Sequence, residues 1–331
     1  MQILKRVAYA ALLGFAIALP FILQGTYQAH LATMFCIFAV LALSLNIIIG
    51  YMGQVSLGHA AFFGLGAYTS ALLCTRLGVP VWIGWMAAVT CSGVVGFLIG
   101  YVSLARTKGV ALAIVTFGFG LILSLVASNW YALTRGYSGI TGIPAPVVAI
   151  PWLPSITFQT PSSYYYLTLA LLLFTAYLTY SLLRSKFGRA LVATRENAAL
   201  ASTTGIDVFR EYVVAFTVAA ALAGLAGAAY AHFVRFVGPK LLGMNYMFAM
   251  LIMVLLGGKG TIAGPILGAA FYVFVSEWLR ITEQIRLVVF GVIVVAVIVF
   301  MPEGIYPRLA SLWKRFVAPR FYGYIKPDKQ P

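Results

Sequence analysis

The side chains able to do chemistry in this chain gather in two places. The first is the stretch Leu45 to Tyr68, LNIIIGYMGQVSLGHAAFFGLGAY, where Asn46, Gln54, Ser56 and His59 stand among Gly50, Gly53, Gly58, Gly64 and Gly66. Amide, hydroxyl and imidazole groups can hydrogen-bond a small polar solute. In hydrocarbon such groups cost free energy unless they find partners or a wet cavity. Glycine lets a helix break and lets backbones approach closely. An apolar helix, a glycine-rich break and a small-residue helix in succession suit a route through a bilayer. The candidates for lining it are Asn46, Gly50, Gly53, Gln54, Ser56, Gly58 and His59. Close helix packing is the competing explanation for the glycines, and bonds to neighbouring backbone for the polar residues.

The second place is the polar segment 185–210, SKFGRALVATRENAALASTTGIDVFR. Ala190 to Thr204 holds no proline or glycine and is rich in alanine, so one helix is expected, stopped by Gly205. Ala190, Thr194, Ala198 and Ala201 share a small-residue face, while Arg195, Glu196 and Asn197 form a polar one. A short exposed helix of this kind fits docking into a groove on a partner, with a solvated connector as the alternative.

Other chemistry is missing from the sequence. Gly258-Lys259-Gly260-Thr261 lacks the spacing of a phosphate-binding loop. Cys36, Cys74 and Cys91 lie in apolar runs without a CxxC pair, and His30, His59 and His232 show no ligand spacing, so no metal site is expected. No nucleophile, base and orienting group cluster. Acids number 7, and Glu277, toward the outer end of an apolar run, is the one candidate for an intramembrane carboxylate.

The elements that must position these residues are membrane spans. The chain of 331 residues is 62% hydrophobic and 9% charged, with a mean hydropathy of +0.98, whereas soluble domains are about 25% charged. An all-α, polytopic transmembrane bundle follows. Ten spans are expected, near 7–24, 29–50, 57–75, 80–104, 109–130, 164–184, 211–234, 243–258, 262–280 and 284–301, with eight or nine as the alternative because 243–258 is short and 57–75 is open to a break. The net charge of +15 comes from basic residues that flank spans, which argues for membrane orientation and against nucleic acid. With both termini cytoplasmic, 16 of the 22 Lys and Arg face the cytoplasm. That topology makes 1–306 the membrane domain, places the proline-rich loop 131–163 outside and 185–210 inside, and lays the basic tail 307–331 on the inner leaflet lipid. Gly50-Tyr-Met-Gly53 and Gly257-Gly-Lys-Gly260 form a weak internal echo at two cytoplasmic turns.

These residues resemble a known family. Ser44-Leu45-Asn46, Gly53-Gln54, Ser56-Leu57-Gly58-His59-Ala60-Ala61-Phe62 and Gly64-Leu65-Gly66-Ala67-Tyr68 are similar to the signature of branched-chain amino acid ABC importer permeases. Arg195-Glu196-Asn197 with Gly205-Ile206, Ala219 to Tyr230, the turn Gly257-Gly258 to Gly268 and Pro302-Glu303-Gly304 extend the likeness over about residues 36–306. The loop Gly139-Ile-Thr-Gly-Ile-Pro144 resembles that of the longer paralogue, the LivM type. Ser202 and Met247-Phe248-Ala249 depart from the family pattern, in the coupling helix and before the late glycine turn.

The resemblance implies a permease subunit of the bacterial inner membrane. It implies a paralogous permease, two cytoplasmic ATP-binding subunits that hydrolyse the ATP, and a periplasmic solute-binding protein. This chain would then bind no cofactor and have no enzyme activity. It also implies that Arg195, Glu196, Asn197 and Gly205 couple to the ATPase. Related permeases serve urea, short amides and aromatic acids, so the solute stays open. A stand-alone secondary carrier or channel is the rival class.

Overall fold

The computed structural model describes residues 25–107, 109–148, 156–279, 283–301 and 304–309, with positions 14, 16, 18, 19 and 311. The first expected span, Pro302-Glu303 and most of the tail lie outside the described residues. The remainder is helical: α1 (Thr26–Asn46), α2 (His59–Arg76), α3 (Val81–Leu104), α4 (Val110–Asn129), α5 (Pro161–Arg184), α6 (Lys186–Glu196), α7 (Ala198–Thr203), α8 (Val208–Val234), α9 (Met244–Gly257), α10 (Ala263–Trp278) and α11 (Glu283–Phe300). Among the described residues, five helices are long and apolar enough to cross a membrane: α1 with the turn that follows it, α3, α4, α5 and α8. The span expected at 57–75 is unbroken, as α2.

Burial sorts the long helices. In the apolar windows of α1 and α8, 83% and 72% of residues are buried, against 28% in α4 and in α5. The centre therefore belongs to α1 and α8, and α4 and α5 present apolar side chains such as Ile122 and Phe174 outward. Small residues let α8 occupy the centre. A Cβ on Gly227 would overlap the Phe63 carbonyl, and one on Gly66 would overlap the Gly224 backbone, so α2 and α8 touch along their backbones. Dispersion and close approach, rather than water exclusion, hold helices together in lipid.

The described residues of loop 131–163 are mostly irregular, apart from the helical turn Tyr131–Thr134, the 3-10 turn Gly136–Ser138, two-residue strands and the first residues of α5. One of these strands, β1 (Ile140–Thr141), pairs antiparallel with β2 (Phe236–Val237), which follows α8. Helix α5 starts at Pro161, with the Thr160 hydroxyl accepting from the Ser163 amide. Pro at the first helical position gives up no bond the helix would otherwise make.

Helix α9 differs from the rest. Its 14 residues span about 21 Å, short of the roughly 30 Å hydrocarbon core. The 3-10 turn Pro239–Leu242 precedes it, with Leu241 and Leu242 buried, and packs on α2 and α4. The helix therefore begins inside the bundle, which explains why its apolar stretch reads as too short in the sequence.

Candidate functional site: two glycine turns joined by Asn46 and Arg195

Helix α1 ends as the glycines predict. After Asn46 it widens into a π turn, Ile47–Tyr51. The Met52 amide donates to the Ile47 carbonyl (3.0 Å) and the Gln54 amide to the Ile48 carbonyl (3.1 Å). Gly53, at φ +70°, then reverses the chain. The return to α2 is fastened to α4: Gln54 Oε1 accepts from the Gly109 amide (2.7 Å), and the Leu57 amide donates to Thr116 Oγ1 (3.1 Å). A Cβ on Gly58 would overlap the Thr116 carbonyl oxygen. At Gly58 the packing explanation is therefore the observed one.

Asn46 is fully buried and bonds the other glycine turn. Its Oδ1 accepts from the Gly260 amide (2.9 Å), and its Nδ2 donates to the Thr261 carbonyl (2.8 Å). A Cβ on Gly50 would overlap both Asn46 Oδ1 and the Gly260 amide. The two stretches that echo each other in sequence are thus neighbours in space.

Arg195 joins the same cluster. Its Nη1 donates to the Gly50 carbonyl (2.7 Å). Its Cγ lies 2.5 Å from where a Cβ on Gly53 would sit, and its Nη1 lies 3.1 Å from where one on Gly260 would sit. An arginine on the segment 185–210 therefore touches the turn after α1 and the turn after α9. Around it lies a cavity of about 580 Å³ lined by Gly50, Gly53, Gln54, Val55, Arg195 and Lys259. Of the seven pathway candidates, Gly50, Gly53 and Gln54 reach this cavity.

The segment 185–210 corrects one expectation. It forms two helices, α6 and α7, in place of one. Asn197 adopts extended backbone (φ −155°, ψ 99°) and its Oδ1 caps α7 by accepting from the Leu200 amide (3.0 Å). Asparagine competes with the helix for backbone partners and favours this role. Gly205, at φ +84°, supplies the expected stop. The faces are also re-sorted. Leu191, Thr194 and Ala201 are buried, and Leu200 is 63% exposed. Arg195, expected on the outward polar face, turns its guanidinium partly inward to Gly50 and pairs with Glu196. Glu196 itself keeps 68% of its side chain in the open.

Ser56 and His59 are sealed inside, with no exposed surface. Ser44 Oγ uses its proton on the Leu41 carbonyl (2.7 Å), so it accepts at His59 Nε2 (2.9 Å) and that nitrogen carries the hydrogen. His59 Nδ1 and Ser56 Oγ have no hydrogen-bond partner.

A second cavity, of about 420 Å³, opens between α1, α8, α9 and α10. Sequence reading singled out Glu277 but did not assemble this site, because its walls come from positions as far apart as Tyr27 and Glu277. The signal available was the spacing of Tyr27, Leu31, Met34 and Phe38 along one face of α1.

Comparison with known proteins agrees with this architecture. Residues 27–301 match the family model "Branched-chain amino acid transport system / permease component". The chain is 33% identical over 315 residues to the high-affinity branched-chain amino acid transport system permease protein LivM of Salmonella typhimurium strain LT2, covering 90% of this chain and 74% of the relative. LivM of Escherichia coli K12 is 32% identical over 322 residues, 92% of this chain and 75% of the relative. The permease protein LivH of Salmonella typhimurium is 26% identical over 293 residues, 82% of this chain and 91% of the relative. No solved structure matches the chain. The glycine turns, all of α1 but Thr26, and α2 through α11 fall inside the matched region, and the chain belongs to the family of branched-chain amino acid transport permease components.

Proposed function

We propose that this chain forms one half of the translocation pathway of a binding-protein-dependent ABC importer for branched-chain or related amino acids in the bacterial inner membrane. Its partners are a paralogous permease, two cytoplasmic ATP-binding subunits that hydrolyse ATP, and a periplasmic solute-binding protein. The chain crosses the membrane ten times with both termini in the cytoplasm, which puts 131–163 outside and α6–α7 inside. Likeness to both LivM and LivH supports a pair of paralogous permeases.

The observation that carries the mechanism is the bond from Arg195 to the Gly50 carbonyl. Glu196, Asn197 and Leu200 are exposed and offer the docking face for an ATP-binding subunit. Arg195 carries displacement of that face to the turn after α1, and Asn46 passes it on to the turn after α9. Gly205 gives the segment its hinge. Ser56 Oγ and His59 Nδ1, buried without partners, are groups that another state of the transporter would bring to the solute, since unmet polar groups favour a state that satisfies them.

Reconstitution with these four partner subunits tests the reading. ATP-dependent leucine uptake is expected, and Arg195→Glu should abolish it while the complex still assembles. Uptake of urea, short amides or aromatic acids in place of leucine would reassign the solute. Solute flux through this chain without ATP or partners would reject the importer.

A further inference from the structure

We infer that the outer cavity between α1, α8, α9 and α10 is a solute site that recognises a free, apolar α-amino acid by both of its charges and by its side chain. The inference rests on the importer reading above and adds to it the residues that select the solute.

The cavity, about 420 Å³, accommodates a solute of amino-acid size. It follows α1 from Tyr27 to Phe38, about 16 Å along the helix. Its chemistry is divided. Leu31, Met34, Phe38, Ala249 and Val273 supply apolar wall. Phe38 meets Tyr246 and Tyr272 at ring centroid distances of 6.4 and 5.9 Å, and Tyr230 bonds Tyr246 hydroxyl to hydroxyl (2.8 Å). These rings give the apolar wall a rigid backing.

Two polar features flank the wall. On α10, Glu277 and Ser276 line the cavity together, and Ser276 Oγ is buried without a hydrogen-bond partner. A carboxylate wall favours an ammonium group over an acid, and His30 of α1 lines the same cavity. On α9, Asn245 and Tyr246 of the first turn line the cavity. The N-cap residue Gly243, which precedes Met244, gives the helix start no side-chain cap. The first amides of α9 therefore keep a partial positive charge inside the bundle, where a carboxylate is favoured. A free amino acid presents an ammonium, a carboxylate and an apolar branch, matching Glu277, the start of α9 and the Met34–Phe38–Val273 wall. A deaminated acid would keep only two of the three contacts, and an amide-bonded peptide would lose at least one charge.

The test reads occupancy directly. Cys36, Cys74 and Cys91 are replaced by alanine, Met34→Cys is introduced, and the purified importer without binding protein is treated with a water-soluble thiol reagent. Leucine is expected to slow labelling. 4-Methylpentanoate, which lacks the ammonium, should need about tenfold more for the same protection. Adding Glu277→Gln should raise the half-protecting leucine concentration about tenfold and bring the two solutes close together. If that variant does not assemble, the ratio of leucine to 4-methylpentanoate in the parent decides alone. Equal protection by both solutes in the parent, or none by leucine, overturns the site. Leucine uptake by the complete importer is measured alongside. Uptake without protection rejects the cavity and leaves the importer standing, whereas neither uptake nor protection rejects both.

Discussion

The two ends of the bundle each hold a buried histidine, and the two are bonded differently. At the end near loop 131–163, His232 Nδ1 donates to the Pro144 carbonyl (2.6 Å), which fixes the tautomer, and its Nε2 accepts from the Ser70 hydroxyl (2.8 Å). Both ring nitrogens are satisfied, and one ring ties α2, α8 and loop 131–163 together. Near the glycine turn after α1, His59 is as deeply buried, yet bonds through Nε2 alone. Fully satisfied buried networks rigidify a structure, and partly satisfied ones favour rearrangement. His232 thus belongs to a fully bonded frame, and His59 to a part whose bonding leaves room for rearrangement.

Three measurements press on that contrast. The largest effect is expected where the moving part is seated on the frame. Gly58→Ala drives a methyl group into the Thr116 carbonyl and should destabilise the permease by about 3 kcal/mol. The readout is the midpoint of denaturant unfolding in detergent, and an unchanged midpoint would show that α2 and α4 slide apart freely.

The paired substitutions His232→Ala and His59→Leu come next. The first strands the Pro144 carbonyl and the Ser70 hydroxyl and should cost about 2 kcal/mol, with faster proteolysis of loop 131–163. The second removes an unmet nitrogen, leaves Ser44 bonded to Leu41, and should cost less than about 1 kcal/mol while lowering ATP-driven uptake severalfold. Equal stability losses at the two sites would erase the distinction between frame and moving part.

The smallest effect is on accessibility. With the native cysteines replaced, Ser56→Cys should stay unreactive toward a water-soluble thiol reagent at rest and become reactive when ATP is trapped on the partner subunits. Silence in both states would make the segment a packing element only.

Much of the architecture could be read from the chain, for identifiable reasons. The apolar runs and basic flanks point to a helical membrane protein, and the glycines between Gly50 and Gly58 mark a true break, with Gly53 in the left-handed region. The echo between Gly50-Tyr-Met-Gly53 and Gly257-Gly-Lys-Gly260 hinted at a relation, but its physical content is the Asn46 bond to Gly260, a contact that local periodicity does not encode. Arg195 reads in the sequence as an outward-facing charge, because its reach to the Gly50 carbonyl depends on how α6 packs on the turn after α1, which helical spacing does not encode. The Asn197 cap divides α6 from α7, and asparagine at such a position was the available warning of that break. The cavity between α1, α8, α9 and α10 was illegible for a different reason. Each of its helices contributes only one or two polar residues, and their meeting depends on α9 starting within the bundle.

The Arg195 contact also bears on how such permeases can be recombined. Its acceptor is a main-chain carbonyl, and the space around it is taken by glycines that admit no side chain, so recognition between the segment 185–210 and the α1 turn is written in shape rather than in a pair of exchangeable side chains. A segment 185–210 transplanted from a paralogue has no residue at position 50 to be retuned against it. Chimeras that exchange residues 185–210 alone would have to reproduce the path of the arginine stem past Gly53. Exchanging the segment 46–53, the turn 257–261 and helices α6 and α7 as one module keeps that fit, and makes the three segments a single unit of inheritance for engineering.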